Sequence, residues 1–90
     1  MKVTHIKYDK KFKKSFKRLD KIVQLQVVKR VKIFRDDCFD PRLKTHKLSG
    51  KLDRYYAFSI NHSYRIVFEF IDGKAGFVGF IKVGTHDEVY

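Results

Sequence analysis

The sequence is short of several residue types, and each shortage excludes a class of protein. A single cysteine, Cys38, excludes an intramolecular disulfide and a zinc site built on several cysteines. No apolar run approaches the roughly 18 residues that suggest a membrane span. Lysines interrupt the first fifteen residues, where a signal peptide would be apolar. We therefore expect an unprocessed protein of the reducing cytoplasm that does not associate with a membrane.

Acidic residues are also few, since ten Asp and Glu accompany 21 Lys and Arg, and the formal net charge is +11. Such an excess raises the local concentration of phosphate and favours association with a polyanion. Charge alone names only the class of partner. An acidic protein partner and a solvated lysine-rich surface are alternative explanations of the same charge.

The spacing of apolar residues predicts one α+β domain over residues 1–90. A strand over 3–8 leads to a short helix, which the side chain of Asp9 caps, and Asp20 caps a second helix over 21–35. Antiparallel strands follow, over about 56–60, 64–71 and 75–83. We therefore expect two helices packed on a twisted, mainly antiparallel four-stranded sheet.

The second helix carries many apolar residues, and their period predicts the side that packs on the sheet. This core face is expected to consist of Ile22, Leu25, Val28 and Val31, broadened by Val27 and Phe34. The segment 36–45 loses the helical period and contains Asp40-Pro41, so it predicts a loop. A turn near Asn61-His62-Ser63 is expected to join the second and third strands.

Side chains that can act on a phosphate lie on or just after the last strands. Arg65 lies within the strand 64–68, and His86 and Tyr90 lie in the segment 84–90. An arginine can grip a phosphate, and a histidine and a tyrosine can move protons around it. The alternatives to a functional site are that Arg65 forms a same-face ion pair with Glu69 and that His86 is an exposed residue without a function. Further cations around the loop and the second strand are expected to bind RNA phosphates, namely Lys44, Lys47, Lys51 and Arg54.

Three motifs carry a resemblance to a known family: His-Lys-Leu-Ser-Gly at 46–50, Tyr-Arg-Ile-Val-Phe at 64–68 and Gly-Thr-His-Asp-Glu-Val-Tyr at 84–90. They occur in the order and spacing seen in toxins of bacterial and archaeal toxin–antitoxin modules, and the chain resembles the RelE/ParE superfamily. The arginine strand is similar to RelE and YoeB, the Gly-Thr-His-Asp string to YafQ, and the final Glu-Val-Tyr to RelE. The resemblance spans nearly the whole chain and implies the microbial ribonuclease-like RelE fold.

The resemblance also implies an activity, which is ribosome-dependent cleavage of mRNA by a type II toxin. Such an endoribonuclease needs no metal or cofactor. The ribose 2′-OH attacks the adjacent phosphorus, so the reaction needs a base, an acid and stabilisation of a dianionic phosphorane. The expected partners are the ribosome, mRNA and a cognate acidic antitoxin, and the free toxin is expected to be a monomer.

Matching positions imply the role of each site residue. Arg65 is the phosphate clamp, because its planar donors bind two oxygens at once. His86 is the general acid and His46 the general base, since an imidazole can give or take a proton at neutral pH. Tyr90 orients a base by stacking or hydrogen-bonds the reacting ribose and phosphate.

Several positions depart from the family patterns. Tyr56 and Phe58 stand at the positions of the central-strand lysines of RelE, and Arg42 stands at the position of the YoeB carboxylate. Ser59 and Ser63 correspond to the mid-sheet histidine and the aspartate of YafQ. The resemblance therefore implies a reduced site centred on His46, Arg65 and His86. Two other functions stay open: a ParE-like DNA gyrase inhibitor without nuclease activity, and a non-catalytic basic RNA-binding domain. His86 and Tyr90 favour the nuclease, because a gyrase inhibitor needs no acid or base.

Overall fold

The computed structural model describes residues 1–89, which form one five-stranded sheet with helices on both faces. The elements, in chain order, are β1 (His5–Tyr8), α1 (Lys10–Arg18), α2 (Lys21–Asp36), β2 (His46–Lys47), β3 (Tyr56–Ser59), β4 (Tyr64–Phe70), β5 (Phe77–Thr85) and α3 (His86–Val89). Short 3₁₀ turns occupy Pro41–Leu43 and Gly50–Leu52. Among residues 1–89, none of the helices has the length and apolar character that crossing a membrane requires.

The strands lie in the order β1-β5-β4-β3-β2. β1 runs parallel to β5, and the other neighbours are antiparallel. The predicted α+β class and the mainly antiparallel sheet are confirmed, whereas the predicted count of four strands is one too low. The additional strand, β2, pairs His46 with Ala57 and Lys47 with Tyr56. Two residues are too few to show an alternating pattern, so the sequence gives no sign of this strand.

The N-termini of the two long helices differ in how they are capped. The Asp20 carboxylate accepts a hydrogen bond from the backbone N–H of Val23 at 3.1 Å, as predicted. For Asp9 the prediction is wrong, because within the described chain its side chain makes no capping hydrogen bond. Its backbone carbonyl oxygen accepts from the N–H of Lys13 at 3.0 Å instead, so the backbone alone begins α1.

The core lies between the sheet and the first two helices, and phenylalanine side chains dominate it. Phe34 of α2 is fully buried and stacks on Phe58 at 4.5 Å between ring centroids. The same ring meets Phe68 and Phe80 edge-on at 4.9 and 5.4 Å. Aromatic pairs at these separations add about 0.5–1.5 kcal/mol each beyond the area that they bury. Phe34 therefore fixes how α2 is rotated over the sheet.

This rotation overturns part of the predicted core face of α2, whereas Val27 and Phe34 are buried as expected and Val31 packs against the core. Three residues expected in the core are exposed, with Ile22 at 71%, Leu25 at 56% and Val28 at 48% relative accessibility. The buried residues are Val23, Val27 and Phe34, which also follow a helical period. Apolar residues on two sides of one helix leave its rotation undetermined by period alone. The outward side of α2 is therefore an apolar surface open to solvent.

Candidate active site

Arg65 and His86, which lie 21 residues apart in the sequence, meet at one end of the sheet. Arg65 lies on β4, in register with Ser59 of β3 and Gly84 of β5. Its Nη1 atom lies 2.6 Å from Nδ1 of His86. A guanidinium has donors only, so Nδ1 of the imidazole is the acceptor in this hydrogen bond. The structure thus brings a fixed cation to a group that can transfer protons.

The short helix α3 holds His86 in this place. The Glu88 carboxylate accepts from the backbone N–H of Thr85 at 2.8 Å and from its hydroxyl at 3.0 Å. These hydrogen bonds lower the pKa of Glu88, and the positive charge of Arg18 adds to the effect. Thr-x-x-Glu is the sequence pattern of a helix capping box. The pattern indicates a helix that starts at His86, which the predicted elements did not include.

Glycine at position 84 lets α3 fold back against the sheet. A Cβ atom there would lie 3.1 Å from Cβ of Glu88 and 3.3 Å from a methyl group of Val89. Val89 is buried with Leu48, Ala57 and Val67 on the sheet face opposite α1 and α2. The close approach at Gly84 and the burial of Val89 therefore fix the helix that carries His86.

A cleft of about 360 Å³ opens on the β3 side of Arg65. Its lining is strongly basic and comes from α2, the loop before β2, and the β3–β4 hairpin; the residues are Arg30, Arg42, Lys44, Ser59, Asn61, His62 and Arg65. Of the cations predicted to bind RNA, Lys44 is in this lining. Arg30, Arg42 and His62 were not predicted as site residues, because only the tertiary fold brings them to Arg65.

Hydrogen bonds hold two sides of this cleft in place. Arg42 donates from Nε and Nη2 to the carboxylate of Asp40 at 3.0 and 2.9 Å. This pairing lowers the pKa of Asp40 to about 2. Arg30 donates from Nη1 to the backbone carbonyl of Arg42 at 3.0 Å. The two arginines are therefore oriented by the protein before any ligand binds.

The β3–β4 turn forms the third side of the cleft and follows the prediction. The Asn61 side-chain oxygen accepts from the backbone N–H groups of Ser63 and Tyr64, both at 2.8 Å, as in an Asx turn. Its amide donates to Gln26 of α2 at 2.7 Å, which ties the turn to the helix. His62, expected in the turn, is exposed and lines the cleft.

His46, the predicted base, lies on β2 and is exposed. Its Nδ1 atom is 3.1 Å from the backbone oxygen of Lys44. His46 pairs with Ala57, and Ala57 pairs with Val67, which lies two residues from Arg65 on β4. Paired residues, and residues two apart on one strand, lie on the same face, so His46 and Arg65 share one face of the sheet. From standard strand geometry the two Cα atoms are about 12 Å apart. This separation allows the two side chains to approach one nucleotide from different sides.

The remaining predicted cations lie outside the cleft lining. Lys47 and Lys51 are exposed on β2 and in the second 3₁₀ turn. Arg54 pairs with Glu69 at 3.2 Å and lies over the ring of Tyr55. Glu69 is thus the partner of Arg54, and the alternative pairing with Arg65 is not what the structure shows. Tyr90 lies outside the described residues.

No protein-family model and no curated protein matches the sequence. Solved structures do match over almost the full length. A YoeB/ParE toxin from Agrobacterium tumefaciens has a TM-score of 0.76 at 15% identity, covering 92% of this chain and 99% of that one. The E. coli DinJ–YafQ toxin–antitoxin complex matches with a TM-score of 0.72 at 17% identity, covering 100% and 99%. The YoeB–YefM complex from Staphylococcus aureus gives 0.71 at 20% identity, covering 96% and 99%. This chain therefore has the RelE-like fold of these toxins, as the motif resemblance implied.

Proposed function

We propose that the protein is the toxin of a type II toxin–antitoxin system and an endoribonuclease that cuts mRNA on the ribosome. One observation carries the catalytic part: the 2.6 Å contact between Arg65 and His86 at the edge of a basic cleft. The fold shared with YafQ and YoeB toxins supports the toxin part. The net charge of +11 supports attraction to an RNA-rich partner.

In this proposal Arg65 stabilises the charge that develops on the phosphate. Its planar donors bind two non-bridging oxygens, and it stays charged at any working pH. Donation to the phosphate takes the guanidinium away from Nδ1 of His86. Nδ1 can then accept a proton from solvent, and the imidazolium so formed gives its Nε2 proton to the leaving 5′-oxygen. Arg65 and His86 thus act in sequence on one phosphodiester.

The base that removes the 2′-OH proton is His46, in keeping with its place on the same face of the sheet as Arg65. Tyr90 is proposed to stack on a base or to hydrogen-bond the reacting ribose and phosphate. Lys47, Lys51 and Arg54, together with Lys44, are proposed to contact rRNA or mRNA phosphates outside the reacting centre. Such contacts position the substrate without taking part in the chemistry.

The proposed antitoxin binds in a groove of about 560 Å³ between α1 and α2. Its walls are apolar and include Phe12, Phe16, Val28 and Val31, and its rim carries the cations Lys13, Lys17, Lys32 and Arg35. An acidic amphipathic segment complements both features, since it buries apolar side chains between the helices and pairs carboxylates with the rim. The solved DinJ–YafQ and YoeB–YefM complexes support a protein partner for this fold.

The nuclease proposal is tested by inducing variants in cells and mapping cuts in recovered mRNA by primer extension. Arg65→Ala and His86→Gln should each lose about a hundredfold to ten-thousandfold in cleavage, the range for a positioned acid or an oxyanion donor. His5→Gln is the control, because His5 stacks on Phe77 of the β1–β5 pair and does not line the cleft. Circular dichroism establishes that each variant is folded.

Cuts confined to translated regions, lost in both site variants, would support cleavage on the ribosome. Toxicity that survives both substitutions, together with reduced DNA supercoiling on induction, would instead establish a gyrase inhibitor. Binding to RNA without cuts in the unaltered protein would establish a non-catalytic RNA-binding domain.

A further inference from the structure

We infer that the basic cleft beside Arg65 is a second phosphate subsite, in which Arg30, Arg42 and Lys44 bind the phosphate that neighbours the scissile one on the same RNA strand. This inference rests on the proposed function for the identity of the substrate. It adds Arg30 and Arg42 to the proposed RNA-binding residues, assigns one particular phosphate to Lys44, and sets a minimum substrate of two consecutive phosphates.

The charge of the cleft is the first observation that supports the subsite. Besides Arg65, three cationic side chains line a space of about 360 Å³, namely Arg30, Arg42 and Lys44, and within residues 1–89 no carboxylate lines it. Asp40, outside the lining, pairs with Arg42, and its charge also acts on Arg30. Three cations outnumber this one carboxylate, and an RNA phosphate complements the remaining positive charge.

The second observation is that the cleft is oriented in advance. Asp40 uses two of the five N–H donors of Arg42 and leaves the others for a ligand. The backbone carbonyl of Arg42 holds Arg30 in turn. Side chains that are already ordered lose less conformational entropy when a ligand binds. A solvated basic surface needs no such ordering, whereas a phosphate site gains from it.

The position of His86 sets the direction of the strand. His86 follows β5, on one side of Arg65, and the cleft opens on the opposite, β3 side. The acid must face the leaving 5′-oxygen, which belongs to the nucleotide on the 3′ side of the cut. That nucleotide therefore lies toward β5, and the cleft receives the phosphate on the 5′ side of the scissile one.

The test compares two probes that cannot be cut, because 2′-O-methylation blocks the nucleophile. One is a 2′-O-methyl dinucleoside monophosphate and the other a 2′-O-methyl trinucleoside diphosphate, each titrated into the full chain and followed by amide chemical shifts. The two-phosphate probe should bind about tenfold more tightly, in line with charge-assisted hydrogen bonds. The slope of log affinity against log salt should be steeper by about 0.7 for the additional phosphate.

The deciding variant is the double change Arg30→Gln and Lys44→Gln. It should weaken the two-phosphate probe more than the one-phosphate probe and bring their affinities to within about twofold of each other. The control is Lys21→Gln with Lys29→Gln, which removes the same charge from α2 outside the cleft lining and should keep the tenfold preference. Thermal unfolding of both double variants establishes that they are folded.

The subsite is refuted if the Arg30 and Lys44 variant keeps the preference, if it weakens both probes equally, or if the control variant behaves like it. Failure of the proposed nuclease is distinguishable from these outcomes. A protein that shows the cleft-dependent preference but leaves mRNA intact retains the subsite and loses the activity. One that cuts mRNA without the preference retains the activity and loses the subsite.

Discussion

Replacing Gly84 by alanine tests whether the placement of α3 governs the chemistry. The added Cβ would lie 3.1 Å from both Cβ and Oε1 of Glu88 and 3.3 Å from Cγ1 of Val89. The carboxylate oxygen ends a flexible side chain and can move away. Cβ of Glu88 is fixed to the helix backbone, and a relaxed carbon–carbon contact of about 3.5–4.0 Å requires a shift of roughly half an ångström. His86 belongs to the same four-residue helix and must shift with it.

The size of the expected loss follows from this displacement. A misplacement of about 1 Å in a catalytic group can cost about a hundredfold in rate, so half of that distance corresponds to about tenfold. Overpacking costs about 1–3 kcal/mol in a closed core, and a short terminal helix that can yield should lie near the lower bound. For a domain of this size, about 1 kcal/mol lowers Tm by roughly 4–8 °C.

The matched control is Gly79→Ala on the same strand, where the new Cβ would meet Cγ of Glu69 at an ordinary 3.6 Å. Cleavage rate, Tm and the imidazole NMR signals of His86 are measured for both variants. Gly84→Ala should lower the rate and shift the His86 signals, whereas Gly79→Ala should do neither. Wild-type cleavage by a Gly84→Ala protein with shifted signals would refute the role of His86. Unshifted signals would refute the close-approach reasoning.

Two further predictions concern the groove and α3. Val28→Glu places a carboxylate on the groove wall and should abolish rescue by a co-expressed antitoxin while toxicity persists. Lys29→Glu, outside the groove lining, is the control. Equal rescue of both variants would refute the groove as the antitoxin-binding site. Hydrogen bonds from Thr85 lower the pKa of Glu88 in the folded state, so its carboxylate stabilises the fold above its ordinary pKa, and this stabilisation is lost as pH falls through the lowered value. Thermal unfolding should show Glu88→Gln less stable than wild type at pH 7 and equally stable in strong acid, and a pH-independent difference would contradict the assignment.

Local signals in the sequence predicted much of the scaffold. Asp20 begins α2 through its side chain, and Asn61 builds the turn between β3 and β4. Each of these features depends on groups within a few residues, so a short window of sequence contains the cause. The motifs implied that Arg65 and His86 belong to one site but did not predict their contact, because the contact depends on the pairing of β4 with β5.

Features that depend on distant packing were not predictable in the same way. Phe34 sets the rotation of α2 by packing against aromatic rings from three strands. The two-residue strand β2 forms because it pairs with β3. Arg30 sits in an ordinary helical pattern, and only the tertiary fold places it beside Arg65. The capping pattern of Thr85 and Glu88 is different, because the two residues are three positions apart and the sequence alone could have predicted the start of α3.

The scarcity of carboxylates acquires a meaning once their positions are known. Five of the ten acidic residues make contacts that stabilise the fold: Asp20 caps a helix, Asp37 binds the N-terminal amine, Asp40 pairs with Arg42, Glu69 pairs with Arg54 and Glu88 accepts hydrogen bonds from Thr85. Within the described chain, no carboxylate lines the cleft beside Arg65. The lining of this cleft is therefore rich in cations where the proposed substrate enters. Long-range attraction then explains approach to a polyanion, whereas selection of a phosphodiester requires the ordered donors of Arg65 and its neighbours.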